Sequence, residues 1–247
     1  MKKLNSNQLK IIAIIAMTID HLADLLYPGM PNNLISNVCH IIGRITAPIM
    51  FFFICEGFYY TKNLKDYLKR LFIFSIISHF AYCFAFGINY IPFVSGSIFN
   101  QTSIVWTLFW SVVALYIVYS NNNIKEIYKY ILIILLNFIT FSSDWSCIGL
   151  MIILSMYDHR GNLENQMKNM MLWTLIYALV SFIFVNKVYG VIQLFVILVY
   201  PLLKLYNGKK GNSKFMKWFF YIYYPLHLFI IGLLRLSIYG DISLLFN

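Results

Sequence analysis

Hydrophobic residues in this chain come in long unbroken runs, with polar residues gathered into short connectors. Strand-type alternation is missing. Nine runs stand out, at about 9–27, 38–59, 67–87, 102–119, 126–141, 146–157, 169–185, 188–206 and 216–238. About 20 mostly apolar residues suffice for a helix to cross a bilayer, so each run reads as a transmembrane helix. The fifth and sixth are short, and the SSDWS segment between them reads as a re-entrant turn. The expected fold is all-α: a polytopic integral membrane helical bundle of about nine spans, forming a single domain over 1–247 with no soluble domain between spans.

Basic residues cluster in alternate connectors, at 2–10, 62–70, 125–129, 160–168 and 204–217, leaving only Arg44, Lys187 and Arg235 of the 19 Lys and Arg elsewhere. That asymmetry predicts an N-terminus inside the cell. Composition agrees with the membrane reading: 60% of residues are hydrophobic, only 11% are charged, and a soluble domain so poor in charge would have no surface to show to water. The net charge of +10 therefore marks topology, and no nucleic-acid partner is expected. Cys39, Cys55, Cys83 and Cys147 lack ligand spacing, so neither a metal site nor a disulfide framework is expected. The start MKKLNSNQLK imitates a secretion signal, but the run behind it carries ionisable residues and no small-residue cleavage site, as a retained helix would. A multi-pass protein of the bacterial cytoplasmic membrane, in contact with its lipids, is the expectation.

The first run, LKIIAIIAMTIDHLADLLY, holds Asp20, His21 and Asp24. Each ionisable group at such depth costs roughly 2.5–3.5 kcal/mol on insertion scales, which makes it a candidate for function. Lys10 precedes His21 by eleven residues, about 16 Å along a helix and close to one face of it. Arg44, in GRITAP, falls in the second run where a cation can approach the first, and Pro48 is expected to bend that helix. Glu56, His79, Asp144 and His227 are further polar candidates in or beside other runs. Each has a plainer reading too: a carboxylate–arginine pair can merely lock helices together, and a membrane histidine can merely satisfy a backbone carbonyl.

Histidine beside a carboxylate is the minimum equipment of a general base, the acid fixing the tautomer and stabilising the imidazolium. Asp24, three residues on, suits His21 better than Asp20, which points about 100° away and can pair with Arg44 instead. A basic cytoplasmic entrance made of Lys10, Lys65, Lys69 and Arg70 could hold the phosphates of a coenzyme A thioester. Gly-rich phosphate loops, serine-hydrolase elbows and zinc motifs are absent from the sequence.

The stretches TIDHLADLL (18–26), IGRITAPIMFFFICEGFYYTKNLKDYLKRLFIF (42–74), the Asp144 region with Gly149, and FYIYYPLHLFI (220–230) resemble the TraX family. That family is named for the protein that acetylates the N-terminus of F-pilin, and it is similar in turn to the acyltransferase 3 group of transmembrane acyltransferases. The larger group has a basic residue, ten intervening residues and a histidine in its first span, matched here by Lys10 and His21. The resemblance implies an acyl-CoA-dependent acyltransferase with His21 as base, Lys10 as a donor contact and Arg44 as a charge stabiliser. It implies acetyl-CoA as co-substrate with no permanently bound cofactor, and as acceptor an envelope glycan, a lipid-linked glycan or a peptide such as a pilin. At His79 the family leads one to expect a carboxylate or amide. The competing readings are a transporter or flippase, and a non-catalytic assembly protein of a conjugation or secretion system.

Overall fold

The structure, a computed structural model, describes residues 3–29, 31–92, 94, 98–120, 123–211 and 214–240, the side chains of 214, 215 and 217 excepted. Its helices are α1 (Ser6–Leu26), α2 (Leu34–Gly43), α3 (Thr46–Tyr60), α4 (Leu64–Phe86), α5 (Ile104–Leu115), α6 (Glu126–Thr140), α7 (Ser146–Asp158), α8 (Leu163–Phe184), α9 (Lys187–Gln193), α10 (Val199–Lys204) and α11 (Lys214–Tyr239). A π-helical turn extends α5 and a 3-10 turn joins α9 to α10. The described residues contain no strand, only two isolated bridges. Asparagine starts many of these helices: the side chains of Asn5, Asn33, Asn63, Asn162 and Asn186 each accept a backbone N–H of the first turn. Such caps satisfy donors that have no intrahelical partner.

Among the described residues five helical stretches are long and apolar enough to cross a bilayer: Leu34–Tyr60, Leu64–Phe86, Leu163–Phe184, Lys187–Lys204 and Trp218–Tyr239. Ile104–Ser120 and Ser146–Asp158 are shorter apolar helices. Helix α1 has 21 residues, but Lys10, Asp20 and Asp24 interrupt its apolar character. The distribution of polarity is inverted relative to a water-soluble protein. Along α8, Gln166, Thr174 and Ser181 are buried while Leu172, Leu179 and Ile183 (69% exposed) face outward. On α6, Thr140 is buried and Phe138 is 74% exposed. Small and hydroxyl-bearing residues inside with large aliphatics outside suit helices solvated by hydrocarbon.

The chain folds as two compact units, Met1–Phe53 with Ser155–Ile222, and Ile54–Leu154 with Tyr223–Asn247. In the first, α1 packs on α2, α2 on α9, and α9 on α8. Gly190 makes the last contact possible, since a Cβ there would stand 2.6 Å from the backbone nitrogen of Phe182. In the second, α5 packs between α4 and α6. The SSDWS segment there is a turn with Ser142, Ser143 and Trp145 buried, and with Trp145 and Ser146 at φ 64° and 48°. It is held by Gln101 N–H to Ser142 O at 2.6 Å and Asp144 N–H to Thr102 O at 2.9 Å.

The expected bend at Pro48 lies elsewhere. The helix breaks at Arg44–Ile45, and α3 restarts at Thr46. Pro48 therefore sits in the first turn of α3, where a missing N–H leaves no hydrogen bond unmade.

Candidate functional site

The α1–α2 pair builds a charged centre out of residues that a bilayer protein would ordinarily avoid. Asp20 is buried on α1, and α2 turns Gly43 toward it: a Cβ at Gly43 would lie 2.5 Å from both Asp20 Cβ and Oδ1. Only glycine lets the carboxylate enter, and once inside it is gripped from two sides. Arg44 Nη2 donates to Asp20 Oδ2 at 2.7 Å, and His40 Nδ1 donates to Asp20 Oδ1 at 2.8 Å. Arg44 and His40 are four residues apart, one turn of helix, so both reach the same partner. Arg44 is only 8% exposed; it also donates from Nε to His40 O at 3.3 Å and from Nη1 to Gln193 Oε1 at 3.2 Å, and lies 5.7 Å from the centre of the Tyr189 ring, the last two residues being on α9. Charge-assisted bonds on both carboxylate oxygens, with a guanidinium satisfied beyond them, meet the condition under which a buried ion pair is tolerated.

His21 and Asp24 lie on the same turns of α1 and are half-buried. His21 is close enough to Asp20 to act on it electrostatically, and Asp24 Oδ1 stands 3.9 Å from His40 Nε2. Sequence reasoning thus placed Asp20 with Arg44, as the structure does. It missed His40 and Gln193. The signal for His40 was its i,i+4 spacing to Arg44; nothing in the sequence pointed to Gln193.

At the other end of α1, half-buried Lys10 lies with its Nζ 4.9 Å from the centre of the Phe53 ring and 5.5 Å from that of Phe220. Its electrostatic neighbour is another cation, Lys210. Lys209 and Lys210 belong to a loop strapped to the start of α1, with Leu4 N–H donating to Leu205 O at 2.9 Å, Asn207 N–H to Leu4 O at 2.9 Å and Ser6 N–H to Lys209 O at 3.0 Å. Among the described residues no carboxylate pairs with Lys10, and like charges held together on an aromatic floor suit a polyanionic ligand.

The remaining sequence candidates fall in the other unit. Lys65 and Lys69 are exposed on α4, with Arg70 half-buried beside them. Glu56 is half-buried on α3. His79 is a brace: its Nε2 donates to Tyr90 O at 2.9 Å, which fixes the tautomer, so its Nδ1 accepts from the Thr102 hydroxyl at 2.9 Å. His227 stacks on Tyr223 with ring centres 5.3 Å apart and donates from Nδ1 to Tyr223 O at 3.1 Å. Asp144, beside Tyr224, closes the turn described above.

Among characterised proteins, the chain is similar to the probable fimbrial assembly protein FimC, serogroup H1, of Dichelobacter nodosus: 30% identical over 234 residues, covering 90% of this chain and 91% of the relative. No solved structure matches it. The family model described as TraX protein matches residues 5–235, nearly the whole helical chain with both ends of α1 and the Asp20–Arg44 centre included, and the protein therefore belongs to the TraX family.

Proposed function

We propose that the protein is a membrane-embedded acyltransferase that moves an acyl group, acetyl first among them, from cytoplasmic acyl-CoA to a hydroxyl or amine of the bacterial envelope. The observation that carries this reading is His21, half-buried on the one turn of α1 whose neighbouring carboxylate, Asp20, is locked by Arg44 and His40. His21 acts as general base. It removes the proton of the acceptor O–H or N–H as the oxygen or nitrogen attacks the thioester carbonyl. The tetrahedral intermediate collapses with cleavage of the C–S bond, and the thiolate of coenzyme A takes a proton from the imidazolium. Asp20 and Asp24 stabilise that imidazolium by charge.

Lys10, at the opposite end of α1, serves as the contact for donor phosphates, and the roughly 16 Å of helix between Lys10 and His21 matches the reach of a pantetheine arm. The N-terminus is inside and the protein lies in the cytoplasmic membrane. The name of the relative, a fimbrial assembly protein, favours a pilin-type subunit as acceptor over a glycan. The test gives purified protein radiolabelled acetyl-CoA and bacterial envelope fractions, with His21→Ala alongside. Label transfer that depends on His21 supports the assignment. Equal transfer by wild type and variant removes His21 from the chemistry, and an absence of any covalent product leaves an assembly or transport role.

A further inference from the structure

Asp20 and Asp24 are one helical turn apart, a spacing that stacks two carboxylates on one face of α1. Like charges at that separation repel, and burial removes the water that would screen them. The fold sets one side chain against both: His40, from α2, with Nδ1 2.8 Å from Asp20 Oδ1 and Nε2 3.9 Å from Asp24 Oδ1. That Nε2 is buried and has no hydrogen-bond partner among the described residues. Buried polar atoms are nearly always bonded, so a ring nitrogen left facing a carboxylate calls for a reason.

The bonding pattern of His40, carboxylate on one nitrogen and nothing on the other, is itself that of a base with its orienting acid. Access decides against that role. His40 is 1% exposed, whereas His21, the residue next to Asp20, is half-buried. No acceptor can reach His40 Nε2, but Asp24 faces it. We propose that His40 is a positioning residue that clamps Asp20 to Asp24 across one turn of α1 and so fixes the turn from which His21 works. This inference rests on the assignment of His21 as base.

The clamp also sets the charge that His21 meets. A bridge to both carboxylates takes an N–H on each ring nitrogen, so the clamp is the imidazolium form of His40; with Arg44 it balances Asp20 and Asp24, and Tyr189 and Gln193, facing them from α9, add no charge. A proton captured by His21 then adds a positive charge beside two carboxylates already fixed in place. Carboxylates that cannot swing away when the imidazolium forms need no reorganisation at the moment of reaction, which is the form of electrostatic stabilisation that lowers a barrier.

The experiment uses the full chain in lipid nanodiscs with radiolabelled acetyl-CoA and envelope fractions, comparing wild type, His40→Asn, Asp24→Asn and the double variant. Asparagine places an amide nitrogen where Nδ1 stood, keeping the bond to Asp20 and the packing while losing the reach to Asp24. The expected result is a kcat lower by about tenfold or more with KM for acetyl-CoA within about twofold of wild type, since misplacement of a reacting group costs turnover before it costs binding. The double variant is no worse than either single one, as two ends of one contact require. His40→Asn with wild-type kcat, or two losses that simply multiply, overturns the clamp. So does a loss accounted for entirely by less folded protein in a thermal melt. If wild type transfers no label, the base assignment fails on its own. The clamp is then read by NMR of protein labelled with 15N-histidine: ring signals of His40 that shift on Asp24→Asn support it, and unshifted signals overturn it.

Discussion

Gly43→Ala tests the architecture of the charged centre with an unusual sign. Alanine in a helix is ordinarily stabilising over glycine, by up to about 1 kcal/mol, and Gly43 is the last residue of α2. Here the added methyl would stand 2.5 Å from Asp20 Cβ and Oδ1, closer than any tolerated contact. A flexible side-chain end could step aside, but Asp20 is held by bonds of 2.7 Å to Arg44 and 2.8 Å to His40. Displacing it strands a buried guanidinium, and breaking a buried pair from one side costs about 3–5 kcal/mol. Net of the helical gain, the variant should lose about 2–4 kcal/mol, which at about 2–4 °C per kcal/mol for a chain of this size is a Tm lower by roughly 4–16 °C. Thermal unfolding of the purified proteins in one detergent measures it. The same substitution placed on an Asp20→Gly background should be harmless or mildly stabilising, because the Cβ and the carboxylate that block it are both gone. A Gly43→Ala protein that melts at or above the wild-type temperature would refute the reasoning.

Three further outcomes are expected. Lys209→Ala with Lys210→Ala should weaken coenzyme A binding by isothermal calorimetry, about tenfold if two phosphate contacts are lost, while Lys65→Ala with Lys69→Ala, on exposed α4 positions, leaves it near wild type; the reverse order moves the donor phosphates to α4. His79→Ala should cost about 1–3 kcal/mol, because it leaves the Tyr90 carbonyl and the Thr102 hydroxyl unserved, yet transfer per folded molecule should hold; a specific activity loss would give His79 a chemical role. Gly190→Ala should destabilise by about 1–3 kcal/mol, and Phe182→Ala should fail to rescue it, since the obstacle is the Phe182 backbone rather than its ring.

The sequence exposed the helices well because hydrocarbon imposes length and polarity rules that act residue by residue. The runs at 64–86, 126–140 and 146–158 were located to within a few residues, and the asparagines ahead of α1, α2, α4, α8 and α9 are their caps. Asp20 with Arg44 was legible for a related reason: ions in apolar runs are few, and they seek one another. His40 was not, since a histidine on a short amphipathic helix looks ordinary until the carboxylate opposite is seen. Gln193 was hidden further, being an uncharged residue brought in by a helix 149 positions from its partner Arg44. The break at Arg44 was attributed to the wrong residue because proline is a louder sequence signal than a glycine–arginine step.

The ion pair at the heart of the first unit joins residues only 24 positions apart. A helical hairpin of α1 and α2 is thus enough to bring carboxylate and guanidinium together as the nascent chain leaves the ribosome. The two charges can enter lipid as a neutral dipole, and the expense of admitting each one singly, roughly 2.5–3.5 kcal/mol, is avoided at the step where no other part of the protein yet exists to help. Gln193 then arrives with the last third of the polypeptide, as a latch on a bond already made.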